Sequence, residues 1–94
     1  MEVSYQRALA LELQRLELSF DREVEMDIYY KDKKIDKRRV DFLVEGCMVE
    51  IKAKSQLDDE HYIQTLSYLR ASGMKLALLI NFGTKKIQIK RFVR

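Results

Sequence analysis

The spacing of apolar residues predicts one helix and then three strands in the first half of the chain. Apolar residues recur at three- and four-residue steps over residues 3–18, which is the period of a helix. From residue 24 onward apolar and polar residues alternate, which is the period of a half-buried strand. We expect strands over residues 24–30, 37–44 and 47–53. Glu45 and Gly46 separate the last two strands and predict a two-residue hairpin turn, because glycine readily adopts a positive φ.

The second half of the chain predicts a helix between two further strands. The acidic residues over 58–60 suit the start of a helix, and Gly73 suits its end. The apolar run over 76–80 predicts a strand buried on both faces, and Ile87 and Ile89 mark a final edge strand. The connection over 47–80 is expected to be a right-handed parallel crossover. The predicted fold class is therefore α/β (α+β), with a mixed sheet flanked by two helices.

The composition of the 94 residues indicates a single folded domain and narrows the available chemistry. Hydrophobic residues make up 47% and charged residues 35%, which excludes a disordered chain and a coiled coil. No run of 18 apolar residues occurs, so we expect no membrane partner. The single cysteine excludes an internal disulfide and a Cys-rich metal site, and it favours a reducing, cytoplasmic location. The single histidine excludes a His-rich metal site. A metal site would need carboxylates, which suit Mg²⁺ or Mn²⁺.

Basic residues cluster in two parts of the chain, although the formal net charge is only +3. Residues 75–94 contain six basic residues and no acid, and residues 31–39 contain six basic residues and two aspartates. A positive surface of this kind suits a polyanion such as nucleic acid. A solvated lysine-rich surface explains the same pattern, and the charges alone leave both interpretations open.

The predicted hairpin turn fixes a register that brings two carboxylates together. With Glu45 and Gly46 in the loop, Asp41 lies opposite Glu50, on the face away from the apolar side chains. At about 4 Å and an effective dielectric near 20, the two charges repel by on the order of 4 kcal/mol. A divalent cation between them would remove this cost. The alternative is a surface charge network in which Arg39 and the lysine opposite it neutralise the two acids.

The predicted apolar face of this hairpin and the predicted second helix complete the arrangement. The apolar face is formed by Val40, Phe42, Val44, Cys47, Val49 and Ile51. On the second helix His61, Gln64 and Tyr68 form a polar, uncharged arc that is separate from the apolar arc. Such an arc indicates a partly buried polar site or a partner surface. We therefore predict that Gln64 turns toward the carboxylate pair.

Asp41, the run Glu50-Ile51-Lys52 and Gln64 one helix later resemble the PD-(D/E)XK nuclease superfamily. More closely, an ordered series of stretches resembles the GxxExxY family within it. These stretches are residues 2–5, 8–13, 39–44, 49–53, 61–64, 68–69, 78–83 and 90–91. The resemblance implies a restriction-endonuclease-like αβββαβ core with an extra C-terminal edge strand. It also implies that residues 1–94 are one nuclease-like domain that lacks the N-terminal segment usual in relatives.

The resemblance further implies a role for each matching residue. Asp41, Glu50 and the main-chain carbonyl of Ile51 would hold Mg²⁺ or Mn²⁺. Lys52 would orient the nucleophile and stabilise the developing negative charge. The two remaining catalytic positions would be Gln64, which orients a water or a phosphate, and Glu2, a helper from the first helix. Nucleic acid would contact Arg39, Lys90 and Arg91. The implied reaction is phosphodiester hydrolysis, with DNA as the expected substrate.

Two other functions are compatible with the sequence. The first is a nucleic-acid-binding protein that keeps the nuclease scaffold without turnover. The second is a small interaction module, because a shortened core exposes apolar surface that a second copy would cover. A homodimer is expected for the same reason. Metal-dependent cleavage that is lost when Lys52 is changed would separate a nuclease from the first, and the measured mass in solution, with and without a DNA duplex, would discriminate the second.

Overall fold

The fold consists of two helices and a five-stranded mixed sheet, in the order that the sequence predicts. The structure is a computed structural model and describes residues 2–94. The elements are α1 (Glu2–Arg15), β1 (Phe20–Tyr30), β2 (Lys33–Val44), β3 (Cys47–Lys52), α2 (Asp59–Ser72), β4 (Leu76–Asn81) and β5 (Gln88–Val93). This arrangement confirms the predicted fold class, a restriction-endonuclease-like core with an extra C-terminal edge strand. Within residues 2–94, neither helix is long and apolar enough to cross a membrane.

The five strands lie in the sheet in chain order, β1-β2-β3-β4-β5. Strands β3 and β4 are parallel and joined through α2, whereas the other three neighbouring pairs are antiparallel. The turn between β1 and β2 falls at Lys31 and Asp32, which both have positive φ, so β2 starts four residues earlier than the sequence predicts. The early residues of β2 are mostly charged and exposed, and no apolar alternation marks them as a strand.

One helix packs on each face of the sheet, and each helix has its own apolar cluster. The α1 side is centred on Leu13, Phe42 and Val49. The α2 side is centred on Met48 and Leu69. Since the two faces are covered by different helices, the side of the sheet to which a strand residue points decides which helix it meets.

The side chains of β2 stop alternating regularly between the two faces of the sheet at Asp41, and those of β1 do so at the neighbouring position. Phe42 packs on the α1 side, but Val40 packs with the α2-side cluster, although strict alternation would keep the two residues on one face. On β1, Val24 likewise packs on the α2 side. The residue before it, Glu23, has φ of 50°. The prediction that Val40 shares an apolar face with Phe42 is therefore wrong. The reason is a local twist of both strands that a period of two does not contain.

The predicted ends of the second helix are confirmed. Asp58 caps α2: its side chain accepts a hydrogen bond from the His61 backbone N–H, and the His61 ring accepts one from the Asp58 N–H. Gly73 ends the helix with φ of 79°, a conformation that glycine adopts at little cost. These local contacts determine where α2 begins and ends in the chain.

Candidate active site

The hairpin of β2 and β3 has the predicted register, and Asp41 lies where its backbone pairing stops. The pairs Val44–Cys47, Leu43–Met48 and Phe42–Val49 all form as predicted. Beyond them the side chain of Asp41 replaces the backbone: its Oδ2 accepts a hydrogen bond of 2.7 Å from the Ile51 N–H. The Asp41 carboxylate is thereby fixed against β3.

Glu50 is a buried carboxylate beside Asp41. The residue is only 6% exposed, and its Oε1 has no hydrogen-bond partner among the described residues. Burial, and next the charge of Asp41, raise the pKa of Glu50 from an ordinary value of 4.5 to about 8. Arg38 and Lys52 act in the opposite direction, but they do not offset the other two effects. The predicted proximity of the two acids therefore adds to the effect of burial on the pKa of Glu50.

The carbonyl of Ile51 points toward the same gap. The next carbonyl, that of Lys52, accepts a hydrogen bond of 2.8 Å from the Phe82 N–H at the β4 side. Successive carbonyls along a strand point to opposite neighbours, whereas the N–H and carbonyl of one residue point the same way. The Ile51 carbonyl therefore points toward β2, as does the Ile51 N–H that donates to Asp41.

The chain beyond Lys52 is fixed by a buried amide. Asn81 is fully buried at the end of β4; its Oδ1 accepts from the Lys54 N–H at 2.9 Å, and its Nδ2 donates to the Lys54 carbonyl at 2.9 Å. Gly83 gives Lys54 room to pass, because a Cβ at that position would overlap the Lys54 backbone. These contacts hold the end of β3, and therefore the half-buried Lys52, in one place.

Comparison with known proteins identifies the family. A family model described as the PD-(D/E)XK nuclease superfamily matches residues 1–92. This chain belongs to that superfamily. A search of curated proteins finds no match. The crystal structure of SSO0001 has the same fold, with a TM-score of 0.73 and 20% sequence identity over 96% of this chain and 48% of that one. This chain thus spans about half the length of that protein, and a likeness at this identity shows the fold alone.

The donor groups of this PD-(D/E)XK domain fit a hard divalent cation. Two carboxylates and one main-chain carbonyl are oxygen ligands, and Glu50 Oε1 is a buried acceptor that lacks a donor. Over residues 2–94 no group of three or more His, Cys, Asp or Glu side chains could hold a metal ion. The domain would therefore supply only part of a coordination sphere. This is compatible with Mg²⁺, which usually keeps several waters beside one or two carboxylates. Superfamily members generally use divalent metals, which agrees with this donor set.

Two residues implied by the resemblance lie outside this cluster of contacts. Gln64 and Glu2 are both exposed, and no hydrogen bond between described residues joins either of them to Asp41 or Glu50. Their catalytic roles stay predictions. Glu2 begins α1 one helical turn before Gln6, a residue that does reach the site.

The basic residues expected to contact nucleic acid point to different sides. Arg39 Nη2 lies 4.0 Å from Glu25 Oε1, so the alternative of a charge network between Arg39 and the site carboxylates has no support from this position. The change of side at Asp41 explains this, because it turns Arg38 rather than Arg39 toward Glu50. Lys90 Nζ lies 5.8 Å from the centre of the Tyr62 ring of α2, and Lys90 follows Glu50 and Leu79 in one row across the sheet. Arg91 pairs with Leu78, which packs on the α1 side.

Sequence reasoning missed Gln6, Arg22 and Arg38 around the site, whereas Tyr68 belongs to the polar arc that it predicted. Gln6 Nε2 donates to Asp41 Oδ1 at 3.5 Å, and Gln6 Oε1 accepts a hydrogen bond of 2.7 Å from Arg22 Nη2. On the other side Arg38 lies between Glu50 and the ring of Tyr68. Gln6 follows Glu2 by four residues, so the helical period could have indicated it. No signal in the sequence indicates Arg38, because its direction depends on the twist at Asp41.

Proposed function

We propose that this protein is a Mg²⁺- or Mn²⁺-dependent nuclease that hydrolyses phosphodiester bonds in DNA. The observation that carries the proposal is the buried Glu50, which lies beside Asp41 with an oxygen that no donor satisfies. Isolated buried carboxylates are costly, and active sites are where such costs concentrate. Superfamily membership supplies the reaction class, and the ordered motif series supports the GxxExxY family as the closer relationship.

Each residue of the site has a defined task in this proposal. Asp41, Glu50 and the Ile51 carbonyl would hold the cation, which when bound lowers the pKa of a water and polarises the phosphate. Lys52, fixed by the end of β3, would orient the nucleophile and stabilise negative charge as it develops on the phosphate. Gln64 and Glu2 would act from the two helices after some movement of exposed side chains toward substrate.

The basic side chains and the free thiol support the remaining parts of the proposal. Lys90 lies on the α2 side in the row of Glu50, so it suits contact with a backbone phosphate on either flank of the site. Arg39 and Arg91 are exposed and would contribute at longer range. Cys47 is a free cysteine, which suits the reducing cytoplasm as the working location.

A homodimer is the expected assembly, because α1 leaves part of its side of the sheet uncovered. Ile87 and Ile89 are 57% and 63% exposed and lie beside the half-buried Ile80, next to α1. Strands β4 and β5 together are about 10 Å wide, which is the diameter of one helix. In a two-fold dimer the α1 helix of a second copy would fit here, since Leu11 on α1 is exposed and apolar. Ile89→Lys should convert the dimer to a monomer in light scattering; an unchanged mass would refute this interface.

A non-catalytic nucleic-acid-binding protein is the second candidate function. The exposed side chain of Gln64, without a hydrogen bond to the carboxylates among the described residues, favours it. This candidate predicts binding of nucleic acid that does not depend on Lys52 and no cleavage with any divalent cation.

A cleavage panel tests both candidates. Single-stranded, duplex, nicked and branched DNA and RNA are incubated with the protein and Mg²⁺, Mn²⁺ or no metal. A nuclease should cleave at least one of these only with metal, and Lys52→Met should reduce the rate by about a hundredfold or more. Lys54→Met is the matched control, because Lys54 is exposed and its backbone rather than its side chain is held by Asn81. Equal loss in both variants, or cleavage without metal, would contradict the proposal.

A further inference from the structure

Arg38 has an unusual environment on the α2 side. Its guanidinium carbon lies 3.9 Å from the centre of the Tyr68 ring on α2, and its Nη2 lies 4.0 Å from Glu50 Oε1. That separation is too long for a hydrogen bond, so the arginine is beside the carboxylate without being bonded to it. Arg38 Nε is buried and has no hydrogen-bond partner among the described residues.

Of these two neighbouring polar atoms, one therefore lacks a hydrogen-bond acceptor and the other lacks a donor. Arg38 Nε is a donor that needs an acceptor, and Glu50 Oε1 is an acceptor that needs a donor or a cation. They do not satisfy each other, because stacking on Tyr68 holds the guanidinium plane in place and its closest approach to Glu50 Oε1 is 4.0 Å. A phosphate oxygen next to a cation bound by Glu50 would supply both missing partners. Arg is also the side chain best suited to phosphate oxygens.

We propose that Arg38, held by Tyr68, contacts a phosphate of nucleic acid bound at the carboxylate pair, and that its positive charge opposes binding of the cation beside it. The proposal rests on the proposed function and names a ligand contact within it. It predicts opposite effects of losing Arg38 on the affinity for the cation and on the affinity for nucleic acid. Arg38 and the cation carry charge of the same sign beside Glu50, so loss of Arg38 favours cation binding, while it weakens binding of the phosphodiester backbone.

The test compares Arg38→Met with Arg39→Met. Both variants remove one positive charge from β2 and keep an unbranched side chain, but Arg39 lies beside Glu25 rather than Glu50. Mn²⁺ affinity is measured by calorimetric titration without nucleic acid. Affinity for a short labelled DNA duplex is measured at saturating Mn²⁺ in the Lys52→Met background, which prevents turnover. We expect Arg38→Met to bind Mn²⁺ about threefold to tenfold more tightly and DNA about tenfold more weakly. Arg39→Met should leave the Mn²⁺ affinity unchanged and weaken DNA binding less.

Tyr68 provides a second, independent pair of variants. Tyr68→Phe keeps the ring face under the guanidinium, so we expect DNA binding close to that of the native chain. Tyr68→Leu removes the ring face and keeps Arg38, so DNA binding should fall by roughly threefold to tenfold. This pair also decides the matter if Arg38→Met does not fold, since it leaves the arginine in place.

Three outcomes would overturn the proposal. Equal effects of Arg38→Met and Arg39→Met would reduce Arg38 to a general positive charge. Weaker binding of both Mn²⁺ and DNA in Arg38→Met would show a packing role, because packing loss cannot tighten cation binding. Equal DNA binding by Tyr68→Phe and Tyr68→Leu would remove the role of stacking. If the native chain binds neither Mn²⁺ nor DNA, the proposed function itself fails, which is a different result from a failure confined to Arg38.

Discussion

Replacing Glu50 with glutamine should stabilise the metal-free protein, and the gain should grow with pH. The variant keeps the shape of the side chain but removes the charge that the buried site disfavours. Folding raises the pKa of Glu50 from 4.5 to about 8, so the folded chain holds this proton more tightly than the unfolded chain does. Stability contributed by the protonated acid is present below about pH 4.5 and is lost as the pH rises through about 8. Glutamine does not titrate, so the variant keeps its stability across this range.

The size of the effect follows from the same shift. The difference between 8 and 4.5 is 3.5 pH units, which corresponds to on the order of 5 kcal/mol at high pH and about 3 kcal/mol near pH 7. These free energies are upper limits, because the native chain relaxes around the ionised Glu50. Since 1 kcal/mol shifts the Tm of a domain of this size by roughly 4–8 °C, the metal-free variant should melt about 10 °C or more above the native chain near pH 8.5. Near pH 5 the two should differ little.

Mn²⁺ should reduce the difference in Tm between the two proteins. At about a hundredfold excess over its Kd, a ligand that binds only the folded state adds about 2.7 kcal/mol of stability. The native chain should gain this amount, and it should gain more near pH 8.5 than near pH 6, because Mn²⁺ and the Glu50 proton compete. Glu50→Gln should gain almost nothing. Thermal denaturation followed by circular dichroism, at both pH values with and without Mn²⁺, measures all of these quantities. A variant that melts below the native chain at high pH without metal would refute the reasoning about burial, and an unchanged native Tm at saturating Mn²⁺ would refute the metal site.

Two further substitutions test the geometry around the site. Asp41→Asn should abolish the rise in Tm with Mn²⁺. It should also lower the metal-free Tm by an amount equivalent to about 1–2 kcal/mol, because Asp41 accepts hydrogen bonds from both Ile51 and Gln6 and asparagine offers only one acceptor oxygen. A metal-free Tm above that of the native chain would contradict these contacts. Gly83→Ala should lower the free energy of unfolding, measured by urea denaturation, by about 1–3 kcal/mol, since the new Cβ overlaps the Lys54 backbone. Gly46→Ala is the control: its Cβ meets no atom within 4 Å, so it tests the cost of positive φ alone. Equal losses in the two alanine variants would show that the close approach of Lys54 is not tight.

Local features of the sequence predicted most of the fold. The Glu45-Gly46 turn determined the register of β2 and β3, and the acidic start and Gly73 determined the ends of α2. Each of these signals acts over a few residues, so each can be interpreted without knowledge of the rest of the chain. The start of β2 was missed for the complementary reason. Its first residues are charged and exposed, and their pairing with β1 follows from the position of the preceding turn rather than from any apolar pattern.

The site itself was predicted in part, because its carboxylates depend on the register and its other contacts depend on the twist. Glu50 lies where strict alternation puts it, on the face opposite Phe42 and Val49. Arg38 and Val40 do not, since the strand changes sides at Asp41. Gln6 contacts Asp41 across 35 positions of the chain, and the way that α1 packs on the sheet determines that contact. Packing between distant elements is the information that a pattern of local periods lacks.

The geometry around Glu50 also bears on the two explanations of the carboxylate pair, which are a bound cation and a surface charge network. A stabilising surface network would expose the acids and place cations within hydrogen-bond distance, where each pair contributes up to about 1 kcal/mol. Glu50 is instead buried, its nearest cationic nitrogen is 4.0 Å away, and one oxygen has no partner among the described residues. A buried acceptor without a partner reduces stability, so the proposed cation, which would satisfy this oxygen, is a better physical explanation of the arrangement than a charge network.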